Sequence, residues 1–158
     1  TNPRPAPIGG GLLAAEDGAE CRHEGIDGVL YVMAGAGRRH GLIVGDLIAL
    51  LGPRLRGMSC QLFANGMEVR PRTADQDILY YPDLLLTAVK ATGVLLTYCC
   101  SGPCLLVEVF SESTARIDRR QKRLAYQRIP SLREYPLIEQ DTRAVEIHRS
   151  SQGWGAET

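Results

Sequence analysis

The sequence has no net charge: its 18 lysines and arginines are matched by 18 aspartates and glutamates. A protein that relies on non-specific DNA binding usually carries a positive excess to neutralise phosphates, and this balance gives no such sign. Long apolar runs are missing too. No stretch approaches the ~20 residues that a helix needs to cross a bilayer. The opening Thr-Asn-Pro-Arg-Pro-Ala-Pro and the glycines at 9–11 lack the apolar block of a signal peptide. Residues 1–19 are therefore expected to form a flexible leader and residues 20–158 a single domain, with the cytoplasm as the expected compartment. No internal repeat or low-complexity tract interrupts the chain.

Metal and nucleophile signatures are equally scarce. The cysteines number five, an odd count that favours free thiols. Cys99, Cys100 and Cys104 cluster, but their spacing leaves a fourth zinc ligand unassigned. Small buried or loop hydrophobes are the plainer reading of them, and a redox or zinc role is the other. His23, His40 and His148 are too scattered to form a recognisable metal set. Ser111 and Ser113 have no histidine placed by sequence to activate them, so they read as turn and cap residues.

What is present is an ordinary globular composition, 44% hydrophobic and 23% charged, in a chain long enough for one sizeable core. The charge is unevenly spread. Arg116, Arg119, Arg120, Lys122, Arg123, Arg128 and Arg133 are opposed in their stretch only by Asp118, so a neutral total conceals one basic face.

The order of elements predicts a mixed α/β or α+β domain. Asp27-Gly28 signals a two-residue turn within a hairpin over residues 22–34. From His40 to Arg56 the spacing of Leu42, Ile43, Leu47, Ile48, Leu51 and Leu55 predicts a helix, which Gly45 and the Gly52-Pro53 pair should kink or shorten. Short strands at 60–64 and 67–70 flank an Asn65-Gly66 turn, and a polar loop follows at 71–77. Residues 78–89 read as one continuous buried strand, and 105–110 as a second. Residues 93–98 fit either a strand or a covering segment. Thr114 reads as the N-cap of a helix running to about Arg128, with Asp118 in its first turn. Residues 134–138 and 144–148 complete a closing hairpin.

Two carboxylates stand out. Asp83 and Glu108 each lie within a run that otherwise reads as core, where an uncompensated charge costs several kcal/mol. A divalent cation held jointly would compensate both, since Mg²⁺ accepts one or two protein carboxylates and fills its other positions with water and phosphate oxygens. For either residue alone, a strand-end carboxylate paired with an arginine is the plainer alternative. Lys122 also has two readings. By spacing it stands four residues after Asp118, placed for an ordinary helix-surface ion pair; the other reading comes with the resemblance below.

The strings Tyr80-Tyr81-Pro82-Asp83-Leu84-Leu85-Leu86 and Pro103-Cys104-Leu105-Leu106-Val107-Glu108-Val109-Phe110-Ser111 resemble the two acidic strand motifs of a bacterial family described as "putative restriction endonuclease", a branch of the PD-(D/E)XK nuclease superfamily. The likeness continues through Ser113-Thr114, Asp118-Arg119, Lys122 and Tyr126 to Glu134-Tyr135. It reaches back to His23-Glu24, Ile26-Asp27-Gly28, Met33-Ala34-Gly35 and His40, and so covers roughly residues 20–154. The resemblance implies a restriction-endonuclease-like core, a central mixed sheet flanked by helices with an added N-terminal hairpin. It further implies DNA phosphodiester hydrolysis assisted by Mg²⁺ or Mn²⁺, with Asp83 and Glu108 as metal ligands and Lys122 beside the phosphate. Glu24 and His40 match family positions as supporting residues, Glu24 as an outer metal contact, and the plainer reading of His40 is a helix-start residue that hydrogen-bonds locally. Arg119 and Arg123 are the expected DNA phosphate contacts.

The chain departs from the pattern at several places. Phe110 occupies the position of the motif lysine, two residues after the second acid. Glu112 stands where the family commonly has proline. Pro136 interrupts a strand, which suggests an edge or distorted strand, and residues 87–100 are unusually apolar. A catalytically inactive nucleic-acid-binding or protein-interaction module on the same scaffold is the rival reading. The apolar segment from Val94 to Cys100 and the closing hairpin offer surfaces for a homodimer.

Overall fold

In this computed structural model the described residues are 23–26, 29–33, 37–71, 78–88, 99–100 and 102–157. The expected leader, most of the polar loop at 71–77 and the ambiguous segment at 93–98 lie outside them.

The described residues start with the expected hairpin. Strands β1 (His23–Ile26) and β2 (Val29–Val32) pair antiparallel from His23↔Val32 to Ile26↔Val29, a register that leaves Asp27-Gly28 as the two-residue connection. Helix α1 spans Arg38–Leu55. Pro53 sits in its last turn, and the helix continues to Leu55 instead of being shortened. The backbone of Arg56 is extended, which ends it. Ile43, Val44 and Leu47 pack on the sheet, whereas Leu42 and Ile48 are exposed, against the expectation of a shared face. Leu42 precedes Leu47 by five residues, which at ~100° per residue rotates it about 140° out of line.

Strand β3 (Cys60–Ala64) is followed by the Asn65 turn, where φ is 47°, and by the short β4 (Glu68–Val69). The expected continuous strand over 78–89 is instead two. Strand β5 (Ile78–Leu79) pairs with β1, and β6 (Leu84–Ala88) lies between β3 and β8 (Pro103–Phe110) in a different sheet. The crossing falls at Tyr81-Pro82-Asp83. Proline has no N–H to give a ladder, and Tyr80 has already paired with Val69 of β4. A two-stranded pairing of β4 with β7 (Cys99–Cys100) completes this region.

After β8 comes a π-helical segment, Ile117–Lys122, continued by α2 (Arg123–Tyr126). Thr114 is not an N-cap. Its hydroxyl turns back to accept the Ser111 N–H at 3.1 Å, and only its carbonyl serves the helix, accepting from Ile117 and Asp118. Strands β9 (Glu134–Glu139), β10 (Val145–Arg149) and β11 (Ala156–Glu157) finish the chain.

The main sheet has the order β11-β10-β9-β8-β6-β3 and is mixed, because only the β8–β9 pair is parallel. Pro136 therefore lies in an interior strand, not at an edge. The missing N–H is accommodated locally: β8–β9 partners run from Leu105↔Glu134 to Glu108↔Leu137, skipping the residues around Pro136. Side chains of β8 alternate. Val107 and Val109 meet α1, whereas Leu106 and Phe110 face Ala125 and Tyr126 on the opposite side. Glu108 shares that second face. None of the described helices is long and apolar enough to cross a membrane.

Candidate functional site

The break between β5 and β6 places Asp83 where two sheets meet. Its Oδ2 accepts the Val109 N–H at 2.7 Å, and its Oδ1 lies 3.0 Å from Nε2 of His40 in the first turn of α1. The hydrogen bond to Asp83 raises the His40 pKa, partly opposed by burial. A raised histidine pKa means stabilisation that is complete below its unfolded value of about 6.5 and lost as pH rises through the folded one. His40→Gln is accordingly expected to cost about 1–2 kcal/mol near pH 6 and much less near pH 9. Urea unfolding of both proteins at the two pH values checks this, and equal losses would mean the imidazole is held neutral.

Glu108, on the face of β8 that meets α2, is buried among aromatic and charged groups. Its Oε1 accepts from Lys122 Nζ at 3.1 Å and from the Tyr126 hydroxyl at 3.0 Å. Oε2 receives no hydrogen bond from any described residue. Lys122 in turn meets three carboxylates: Glu24 at 2.8 Å, Glu108 at 3.1 Å and Asp118 at 3.4 Å. The Tyr80 ring lies 5.5 Å from its ammonium. The helix-surface pair with Asp118 thus exists, but inside the protein and as the longest of the three contacts. Glu24 reaches Lys122 because β1 pairs with β5 directly before Tyr80.

The electrostatics follow from burial and proximity. Burial pushes the Glu108 carboxyl well above its ordinary range; Lys122 offsets this in part, while Asp118, Asp83 and Glu24 add to it. Burial alone would depress Lys122, yet Glu108, Glu24 and Asp118 overcome it and hold the ammonium well above its usual pKa. Lys122 is therefore a fixed cation with no role as a proton-accepting base. Four carboxylates surround one lysine and one histidine, a balance that favours a cation.

The arginines are already engaged. Arg119 lies 2.6 Å from Glu146 of β10, and its guanidinium sits 4.6 Å over the Phe110 ring. A cation thus stands above the aromatic that replaces the motif lysine. Arg123 donates to the carbonyls of Arg119 and Trp154. Sequence reasoning treated Asp118 as a first-turn charge and as an ion-pair partner of Lys122, and gave Tyr126 and Glu146 no role. Spacing offered a signal only for Asp118 and Tyr126, which stand four residues either side of Lys122. Of the cysteines, Cys60, Cys100 and Cys104 are free thiols, and burial raises the Cys104 pKa, which disfavours a reactive thiolate.

The donor set suits a hard divalent ion. Glu108 keeps one open oxygen, Asp83 lies close enough to act on it electrostatically, and the local charge is negative. Among the described residues no three Asp, Glu, His or Cys side chains form a cage of their own. An ion here would keep several positions for water and phosphate oxygens, as Mg²⁺ prefers.

A mixed sheet carrying one acid at a strand switch, a second on the adjoining strand and a lysine from the covering helix defines a nuclease-like fold of the restriction-endonuclease type. The chain belongs to the Uma2 family, whose model, described as "Putative restriction endonuclease", matches residues 11–157. That membership supports nuclease activity in general. The chain is 31% identical over 138 residues to uncharacterized protein sll1609 of Synechocystis sp., covering 87% of this chain and 77% of that protein. It is 28% identical over 136 residues to uncharacterized protein slr1290 of the same organism, covering 84% and 68%. A crystal structure titled as a "putative nuclease belonging to DUF820" from Anabaena variabilis shares the fold. Its TM-score is 0.74 at 15% identity, over 96% of this chain and 83% of that one.

Proposed function

We propose that the protein is an endonuclease that hydrolyses DNA phosphodiester bonds with the help of Mg²⁺ or Mn²⁺. The observation that carries this reading is a buried Asp83, held by His40 and the Val109 N–H directly before β6, and on the adjoining β8 a buried Glu108 that pairs with Lys122 and whose Oε2 receives no hydrogen bond from the described residues. Asp83 and Glu108 would hold the ion. When bound, it supplies a lowered pKa for the attacking water and a counter-charge for the scissile phosphate. His40 and the Val109 N–H fix the Asp83 carboxylate. Lys122, fixed by Glu24, Glu108 and Asp118, offsets charge developing on the phosphate. Glu24 thus supports the lysine more directly than it supports the ion.

Arg119 and Arg123 line the helix beside this site and are the proposed contacts to DNA phosphates, with Arg119 exchanging Glu146 for a phosphate oxygen. A homodimer would present two such sites for the two strands, and the cytoplasm is the proposed compartment. The outer edge of the closing hairpin is partly occupied, because β11 covers Ile147 and His148 of β10. The rival reading, a binding module without turnover, draws on Phe110 at the lysine position and on the full set of carboxylates around Lys122.

Cleavage of supercoiled plasmid by the full chain in Mg²⁺ or Mn²⁺, run beside the same reaction with excess chelator, tests the proposal. Nicking or linearisation that the chelator stops and added metal restores is the expected result. Intact plasmid under all metal conditions, with DNA still bound, would favour the module without turnover.

A further inference from the structure

We infer that Tyr126 is a positioning residue for the metal ligand Glu108: its hydroxyl saturates Oε1 so that Oε2 is the oxygen presented to the cation. This inference rests on the metal-dependent reading above.

The geometry behind it is local. Tyr126 is fully buried, and its hydroxyl lies 3.0 Å from Oε1 of Glu108, the same oxygen that Lys122 Nζ approaches at 3.1 Å. Two donors on one oxygen fix the rotation of the carboxylate, and the other oxygen meets no donor among the described residues. The tyrosine itself has little freedom. Its ring is held edge-on between Tyr80 at 5.6 Å and Tyr135 at 5.1 Å, with interplanar angles of 81° and 79°. The π-helical turn before it contributes as well. Widened turns of this kind often occur at functional sites, and this one lets Asp118, Lys122 and Tyr126 descend on Glu108 together. Lys122 is also drawn to Glu24 at 2.8 Å and Asp118 at 3.4 Å, so its ammonium is not dedicated to this carboxylate. Among the described residues Tyr126 has a single polar partner, Glu108.

Hydrogen-bond partners that orient a metal ligand typically govern about 10–100-fold of the metal affinity. The test is Mn²⁺ binding by the full-length protein without DNA, read by electron paramagnetic resonance of the free ion. The proteins compared are the parent, Glu108→Ala, Tyr126→Phe and Tyr135→Phe. Tyr135 is the control, since it is equally buried but its hydroxyl donates to the Asp118 carbonyl and not to Glu108.

The expected order is parent equal to Tyr135→Phe, Tyr126→Phe weaker by about tenfold or more, and Glu108→Ala without binding. At saturating Mn²⁺ the DNA cleavage rate of Tyr126→Phe should return to within about threefold of the parent, a recovery that merely damaged packing would not give. Equal affinity of Tyr126→Phe and the parent would overturn the inference. So would an equal loss in Tyr135→Phe, which would reveal a packing effect. If the parent itself binds no Mn²⁺, or Glu108→Ala binds as well as the parent, the metal reading fails and the inference with it. Should Tyr126→Phe not fold, the parent labelled at tyrosine Cζ is titrated with Mg²⁺. A Tyr126 signal that moves with the same midpoint as binding supports the positioning role, and an unmoved signal overturns it.

Discussion

Glu108→Gln is expected to abolish DNA cleavage, by about 10³-fold or more, while making the metal-free protein more stable. The first effect follows from losing one of only two carboxylates proposed to hold the ion, where several kcal/mol of transition-state stabilisation are at stake. The second follows from burial. A carboxyl whose folded pKa lies above its unfolded value holds a proton in the fold that it would release in the unfolded chain. Stability therefore falls as pH rises from the ordinary carboxylate range through the raised value. Gln keeps the shape and can still accept the Tyr126 and Lys122 hydrogen bonds, but it has no charge to desolvate. A gain of about 1 kcal/mol corresponds to roughly 2–4 °C in Tm at this chain length. Melting of both proteins without metal, near pH 5 and near pH 8, checks it. The gain should be present at pH 8 and small at pH 5, and a variant less stable than the parent at pH 8 would refute the description of Glu108.

Lys122→Met is expected to lower stability by about 3–5 kcal/mol at neutral pH, because it strips a buried ammonium from among Glu24, Glu108 and Asp118. A surface pair would be worth only a few tenths of a kcal/mol, so the size of the loss separates the two readings of this lysine. The contacts also couple. Adding Glu108→Gln to Lys122→Met should recover about 1–2 kcal/mol, since one of the stranded charges is gone. The deficit should shrink as pH falls and Glu108 takes up its proton. Urea unfolding of the parent, both single variants and the double variant measures these terms. A single-variant loss below about 1 kcal/mol would place Lys122 in solvent, contrary to its burial. Cleavage should be lost with Lys122→Met in any case, as the phosphate loses its fixed cation.

These effects explain why Asp83 and Glu108 were visible in the sequence. A lone carboxylate inside an apolar run is a conflict between hydrophobic burial and ionisation, and such conflicts concentrate at functional sites. Local pattern was equally sufficient for the β1–β2 hairpin, for β3 and β8, and for the β9–β10 pair, because turn chemistry and alternation act within a few residues. Pattern misled where a second constraint entered. Residues 78–88 are nearly continuously apolar around Asp83, but the missing N–H of Pro82 and the bridge from Tyr80 to Val69 divide them between two sheets. Pro136 looked like an edge residue, yet it lies between two partner strands because the parallel ladder skips past it.

The amino-acid sequence by itself carried the class of fold in its order of elements and singled out the two acids by burial cost, while Lys122 beside the phosphate came only with the family resemblance. Only the tertiary structure decided their partners. Glu24 reaches Lys122 because β1 joins β5, and His40 reaches Asp83 because α1 covers the sheet where β6 begins. Tyr126 takes Oε1 of Glu108, and Arg119 settles over Phe110 against Glu146, because the helical segment crosses that face. Ion pairs between distant residues depend on how packed elements are placed in space, and periodicity within one element carries no information about that placement.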